Sequence, residues 1–432
     1  MIPELRSRFN RNFRAERYPR LLARLEERCG VAVEFRVAET PIFVERVLLD
    51  ELATTGAELA RTLIGDAAYL SAAQQAIPTE YRVADTTDHP NFLTADFALV
   101  RNAAGELTPR LVEIQAFPSV FGYQDELGNA YREIYELDSD LGTYLGGLDE
   151  SSYWSLLKQT ILGAHDPENV VLTEIDPQHQ KTRPDFEVAA RRLGISVVDI
   201  ATLEAVGDKL HYRDRAGRLV PIHRIYNRAI VDELIARKIQ LPFDLTHAWN
   251  VEWAGHPNWY FLISKFSLPW LSQAGARFPV VPPAVFLSDF LEGSGRTALV
   301  KAGVKLAGVK LEGDKLPASD GPATVYQELL LKPLFSFAGK GIQFDPTHAE
   351  LEAIPAERRG DFLLQQRMQF TPTIETPHGM TQAEIRILYL WPEGGELTPA
   401  LSLVRLGRGK MMGVDHNKNQ EWVGASAAFY PR

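Results

Sequence analysis

A single cysteine, Cys29, stands among 432 residues, which excludes a disulfide framework and any cysteine-rich zinc site and suits a reducing compartment. Long apolar runs are missing too. The most hydrophobic stretch, Phe278 to Leu287, is broken by Pro279, Pro282 and Pro283, so no segment reads as a bilayer-spanning helix. The first thirty residues carry eight arginines and no apolar core, so a cleaved secretory signal is not expected; the cytoplasm is the expected location, with no membrane partner. No two of the ten histidines lie within five residues of each other, which removes HExxH and related zinc spacings. Gly293-Ser294-Gly295 follows Glu292 and does not make a G-x-S-x-G elbow. Basic excess is absent as well: 46 Lys and Arg against 56 Asp and Glu leave a net charge of −10, a repulsive field toward nucleic acid.

What remains is an ordinary globular composition, 45% hydrophobic and 24% charged, long enough for two or three packed lobes. Residues 1 to about 75 read mainly as helix, with leucine and alanine at three- and four-residue spacing. The arginines at 17, 20, 24 and 28 recur on one side of such a helix and are read as a solvated face. FLTADFALV and PRLVEIQAF are β-rich runs joined by residues that favour a turn, predicting an antiparallel hairpin. It places Asp96 on one strand and Glu113 with Gln115 on the other, the last two sharing a face. Residues 168 to 230 read as a small α/β unit: a buried strand NVVLTEID, a helix closed by Gly194, a strand ISVVDI, and a hairpin from Leu210 through Arg228. The tryptophans between 249 and 270 are read as packing between lobes. The remainder reads as α+β, with strands around Leu331, Leu364 and Ile387.

The strongest chemical signal is Leu330-Leu331-Lys332-Pro333-Leu334 followed by Phe335-Ser336-Phe337-Ala338-Gly339-Lys340-Gly341. A strand ends in a lysine, and a loop of small residues turns back into another strand, so backbone N–H groups can cover phosphates beside a fixed positive charge. It is not a Walker A loop, because Gly341 follows Lys340 where Ser or Thr is required. A tight hairpin with a surface lysine accounts for the same residues. On the substrate side, Lys181, Arg183, Asn227 and Arg228 lie at strand ends of the α/β unit, where such folds bind ligands, and the cations among them can fix a carboxylate. Surface ion pairs are the alternative.

Around the lysine loop the elements follow a definite order. A helix led by Lys265 and a Pro-containing strand precede it; the buried run DFLLQQRM and then Glu384-Ile385-Arg386 follow. This order resembles the ATP-grasp superfamily. The resemblance implies that Lys332 contacts the nucleotide, that Ser336, Phe337, Ala338, Gly339, Lys340 and Gly341 form the phosphate cover, that Gln365, Gln366, Arg367 and Met368 form the adenine linker, and that Arg386, catalytic with Lys332, meets the transferring phosphoryl group. The usual C-terminal Glu-x-Asn is missing. The hairpin of Asp96, Glu113 and Gln115 carries such oxygen donors about two hundred residues earlier, as in the circularly permuted ligases similar to glutathionylspermidine synthase. These three residues are the implied magnesium ligands. Gln115 replaces the family's asparagine, and Thr94 replaces its arginine. For Asp96 and Glu113, two polar residues on the solvent face of a hairpin are the alternative.

The implied fold is α/β and α+β: a permuted ATP-grasp fold with an N-terminal helical segment and hairpin (1–165), a Rossmann-like substrate lobe (166–262) and nucleotide-binding lobes (263–432). The implied activity is ATP- and Mg2+-dependent ligation of a small-molecule or peptide carboxylate to an amine acceptor, or to a thiol, through an acyl phosphate. A non-catalytic nucleotide- or peptide-binding module and a small-molecule phosphotransferase are the alternatives.

Overall fold

The structure, a computed structural model, describes residues 1–275, 277–306, 321–336, 339–413 and 419–432. Phe337 and Ala338 of the expected phosphate cover lie outside the described residues. The predicted N-terminal helices form, at Pro3–Asn12, Arg17–Cys29, Arg46–Ile64 and Ala67–Gln75. The arginine-bearing face of Arg17–Cys29 meets a neighbouring helix, Phe121–Tyr135: Arg17 pairs with Glu136 just beyond its end, Arg24 with Glu133 and Arg28 with Glu126. Cys29 is buried beside them, and burial above all raises its thiol to about 12. It is a packing residue.

The largest sheet unites the two ends of the chain. Across it run Ile42–Phe43, Gly424–Pro431, Thr398–Gly407, Gly379–Leu390, Phe92–Arg101 and Leu107–Gln115. The predicted hairpin is its last pair, and its inner strand, Phe92–Arg101, is zipped antiparallel to Gly379–Leu390. A bulge at Val112 lets Asp96 face Glu113 while Phe97 faces Leu111. Leu111 and Ile114, an odd number of positions apart, thereby both reach the core while Glu113 stays on the opposite face.

That core lies under the helix Arg46–Ile64, whose Leu49, Leu52, Ala53, Ala57, Leu59, Ala60 and Leu63 pack against Leu93, Ala95, Phe97, Ile385, Ile387 and Tyr389. The spacing of these residues makes one apolar stripe of the helix. Alternation along the strands then sends Asp96, Glu384 and Arg386 to the other side of the sheet.

A parallel sheet lies wholly within residues 166–262, in the order Glu252–Ala254, Arg224–Asn227, Val170–Glu174, Ser196–Asp199. The predicted α/β unit is thus present, with its helix at Arg183–Leu193 and Gly194 in the left-handed conformation that ends it. The predicted hairpin is shorter than expected. Lys209–Arg213 pairs with Leu219–Pro221, but Arg224–Asn227 leaves to join the parallel sheet, because its wholly buried residues complete that core instead. The tryptophans divide between cores: Trp259 packs with the large sheet and Trp253 with the parallel one.

An antiparallel sheet, Ala284–Phe286, Phe362–Gln366, Leu329–Pro333 and Gln343–Phe344, carries the lysine strand. Leu329, Leu331 and Leu364 pack beneath the helices Leu287–Glu292 and Ser294–Lys301. Lys332 and Gln365 therefore emerge on the opposite face.

The close approach of helix Arg46–Ile64 to the large sheet depends on Gly56. A Cβ there would overlap the Tyr389 hydroxyl, which donates to the Ala53 carbonyl at 2.9 Å. Gly56→Ala should cost about 1–3 kcal/mol by overpacking, and Tyr389→Phe in the same chain should recover part of that loss. Urea denaturation of the two single variants and the double variant measures this coupling.

Candidate functional site

Cross-strand register builds the centre of the site. Glu113, Asp96 and Arg386 lie in one row across three neighbouring strands, and in the next row Glu384 faces Arg405. All five are on the sheet face opposite the helix Arg46–Ile64. The Asp96 carboxylate accepts from Arg386 Nε at 2.5 Å and Nη2 at 2.6 Å, and from Arg405 Nη1 at 3.0 Å. Arg405 also donates to Glu384. Burial alone would raise the Asp96 carboxyl, but the two guanidinium groups hold it below the usual carboxylate range. Glu384 is pushed above its ordinary value because burial and the nearby Asp96 outweigh Arg405. The solvent-face alternative for Asp96 does not hold: it is 1% exposed.

The two lysines reach the same place. Lys265 Nζ donates to the Ser336 carbonyl at 2.6 Å and lies 3.7 Å from Glu113 Oε2; Glu113 Oε1 is 3.8 Å from Arg386 Nη2. Lys332 is 3% exposed, so the surface-lysine alternative fails. Burial lowers its ammonium to about 8; Lys265 adds to the shift, whereas Glu113, Glu384 and Asp96 oppose it. On the strand beside it, Gln365 is fully buried, and neither its amide nitrogen nor its amide oxygen has a partner among the described residues. Such a group is costly unless a ligand or water satisfies it.

The expected site residues thus separate into two sets. Lys332, Ser336, Gln365, Arg386, Asp96 and Glu113 gather along the two facing sheets. Gly339 and Gly341 continue the loop with positive φ of 72° and 78°, and a Cβ at Gly341 would strike Pro333. Lys340 is exposed. Gln366 donates its backbone N–H to Pro283, Arg367 pairs with Asp345 at 2.9 Å, and Met368 is half-buried. Gln115 faces Thr94, two pairs along from the Asp96 row.

On the substrate side, Lys181 is exposed and Arg183 pairs with Glu187 at 3.1 Å. Asn227 caps the backbone N–H of Ala229. Arg228, buried between the rings of Phe117 and Phe186, donates to the carbonyls of Pro118 and Ser119. Ser119 in turn accepts from Arg386 at 3.1 Å. Arg228 is thereby linked to the central cluster, whereas Arg183 holds Glu187 on its own helix.

Sequence reasoning missed Arg405, Lys265 as a member of the cluster, and Ser119. A signal for Arg405 was present: it is the one charged residue of the strand Thr398–Gly407, and charge in an apolar strand calls for a partner.

The expected metal donors do not fit a metal ion as they stand. Both Asp96 oxygens are committed to arginines. Among the described residues no group of three or more His, Cys, Asp or Glu is arranged to hold one. An anionic ligand fits better, since the buried Lys332 has no hydrogen bond or ion pair among the described residues while Lys265, Arg386 and Arg405 stand near it.

In fold the chain is similar to a glutathione synthetase-like effector from Globodera pallida in its apo form, with a TM-score of 0.51 over 96% of each chain and 12% identity. No family model matches the chain, and no curated protein matches it in sequence. The fold is a mixed α/β arrangement of helices and several sheets. Among the described residues no helix is long and apolar enough to cross a membrane.

Lys332 links stability to pH. Its folded value near 8 lies below the usual 10.5, so between these values the unfolded chain binds more protons and stability rises with pH. The full cost of burying the charge is present below pH 8. Between about pH 8 and 10.5 the wild type should gain on the order of 3 kcal/mol relative to Lys332→Met. Denaturation of both proteins across that range reads the difference in slope.

Proposed function

We propose that this chain is an ATP-dependent ligase of the permuted ATP-grasp kind, which joins a carboxylate to an amine, or to a thiol, through an acyl phosphate. The observation that carries this reading is the convergence of Lys332 and the unpartnered Gln365 from one sheet with Lys265 and Arg386 from the elements facing it. Lysine and arginine at these positions can neutralise phosphate oxygens, and in phosphoryl transfer such positioning and neutralisation carry most of the catalysis. Gln365 offers both a donor and an acceptor, the pattern needed to read the edge of a nucleobase. Ser336, Gly339 and Gly341 of the neighbouring loop offer small side chains and backbone N–H groups that would cover phosphates. ATP, when bound, supplies the phosphoryl group that makes the carboxylate reactive; the amine then attacks the acyl carbon and phosphate leaves. Arg228 is tied to Arg386 through Ser119, and in this reading it would help to fix the carboxylate. The order of elements, with the Asp96 hairpin far ahead of the lysine strand in sequence yet joined to Gly379–Leu390 in one sheet, is the support for permutation.

A non-catalytic nucleotide-binding module is the second reading, favoured by the commitment of Asp96 to two arginines.

Calorimetric titration with ATP tests the shared part of both readings. Lys332→Ala should weaken ATP about ten- to a hundredfold, the loss of one charge-assisted contact; a folded variant with unchanged affinity defeats the assignment. Hydroxylamine, which intercepts acyl phosphates as hydroxamates, separates the readings across a panel of carboxylic acids. Hydroxamate that requires ATP supports the ligase, and none from an ATP-binding protein supports the module.

A further inference from the structure

We infer that the cluster neutralises its anionic ligand with side-chain cations alone, so that a nucleoside polyphosphate binds without a divalent cation. This inference rests on the nucleotide reading and concerns the charge chemistry of the same site.

Magnesium needs several oxygen donors in a near-octahedral arrangement. Asp96 has little to give: three of its four lone-pair sites are taken, Oδ1 by Arg386 Nε and Oδ2 by Arg386 Nη2 and Arg405 Nη1. Glu384 is engaged by Arg405. Glu113, at 3.7 Å from Lys265 and 3.8 Å from Arg386, is the one carboxylate of the three without a close hydrogen bond among the described residues, and Gln115 sits beside Thr94 rather than Asp96. A metal ion that took Asp96 as its second carboxylate would compete with a buried bidentate pair, and one that took Glu384 would compete with Arg405.

The positive charge, by contrast, is already assembled. Lys332 has no hydrogen bond or ion pair among the described residues, although it is 3% exposed. Arg405 is held by two carboxylates in the row beside Arg386, so its guanidinium is fixed against the same sheet face. Lys332 thus lies among these charges with no carboxylate bonded to it, and a polyphosphate can supply its counter-charge. The acidic residues act here as positioning residues that aim the arginines.

The test is calorimetric titration of the wild-type chain with ATP, and separately with inorganic triphosphate, in EDTA and in magnesium chloride. Affinities that agree within about fivefold in the two buffers support the inference. A larger gain from magnesium overturns it and leaves the nucleotide reading standing, whereas absence of binding of both probes in both buffers overturns the two together. Glu113→Gln adds a second reading that a folding role would not mimic. Removal of a like charge should tighten triphosphate in EDTA by roughly two- to tenfold, while loss of a metal ligand would weaken it only in magnesium and would overturn the inference.

Discussion

The pairing of Asp96 with Arg386 and Arg405 is the constraint on which the site depends. It bridges residues 290 and 309 positions apart in sequence, with Asp96 and Arg386 buried and Arg405 partly so. Burial of three such groups is expensive, and geometry must repay it. Two parallel bonds to one guanidinium, a third from another arginine and a further carboxylate at Glu384 supply that geometry. Removal of Asp96 alone would leave the buried Arg386 without its close carboxylate, a loss of about 3–5 kcal/mol, while Arg405 would keep Glu384. The same pairing holds the guanidinium planes still, which is what recognition of a planar or tetrahedral anion requires.

Around this fixed centre the rest of the molecule contributes charge and shape. The large sheet presents the arginines because its other face is committed to the helix Arg46–Ile64. The antiparallel sheet presents Lys332 and Gln365 because its leucines are committed to the helices at 287–301. Each polar side chain is therefore placed by apolar neighbours that point the other way. The parallel sheet joins through Arg228, which grips the Pro118–Ser119 turn while Ser119 accepts from Arg386. A ligand that moved this turn would act on both ends of that network.

The chain alone determined the local pieces and their order. Alternation in PRLVEIQAF was enough to put Glu113 and Gln115 on one face of a hairpin strand, and the lysine strand, the α/β unit and the Gly194 stop were equally legible, because strand period, helix stripe and turn chemistry are local properties. The bulge at Val112, which brings Glu113 opposite Asp96, was not legible in that alternation. Tertiary structure alone decided which distant strands became neighbours, and with that the role of each charge. Arg386 and Arg405 face Asp96 because the first and last parts of the chain share a sheet in a particular register, and a slip of one residue would turn all of them into the core. The sequence could name Asp96 as an oxygen donor. Whether its oxygens met a metal or a guanidinium depended on strands some three hundred residues away, and no local pattern encodes that.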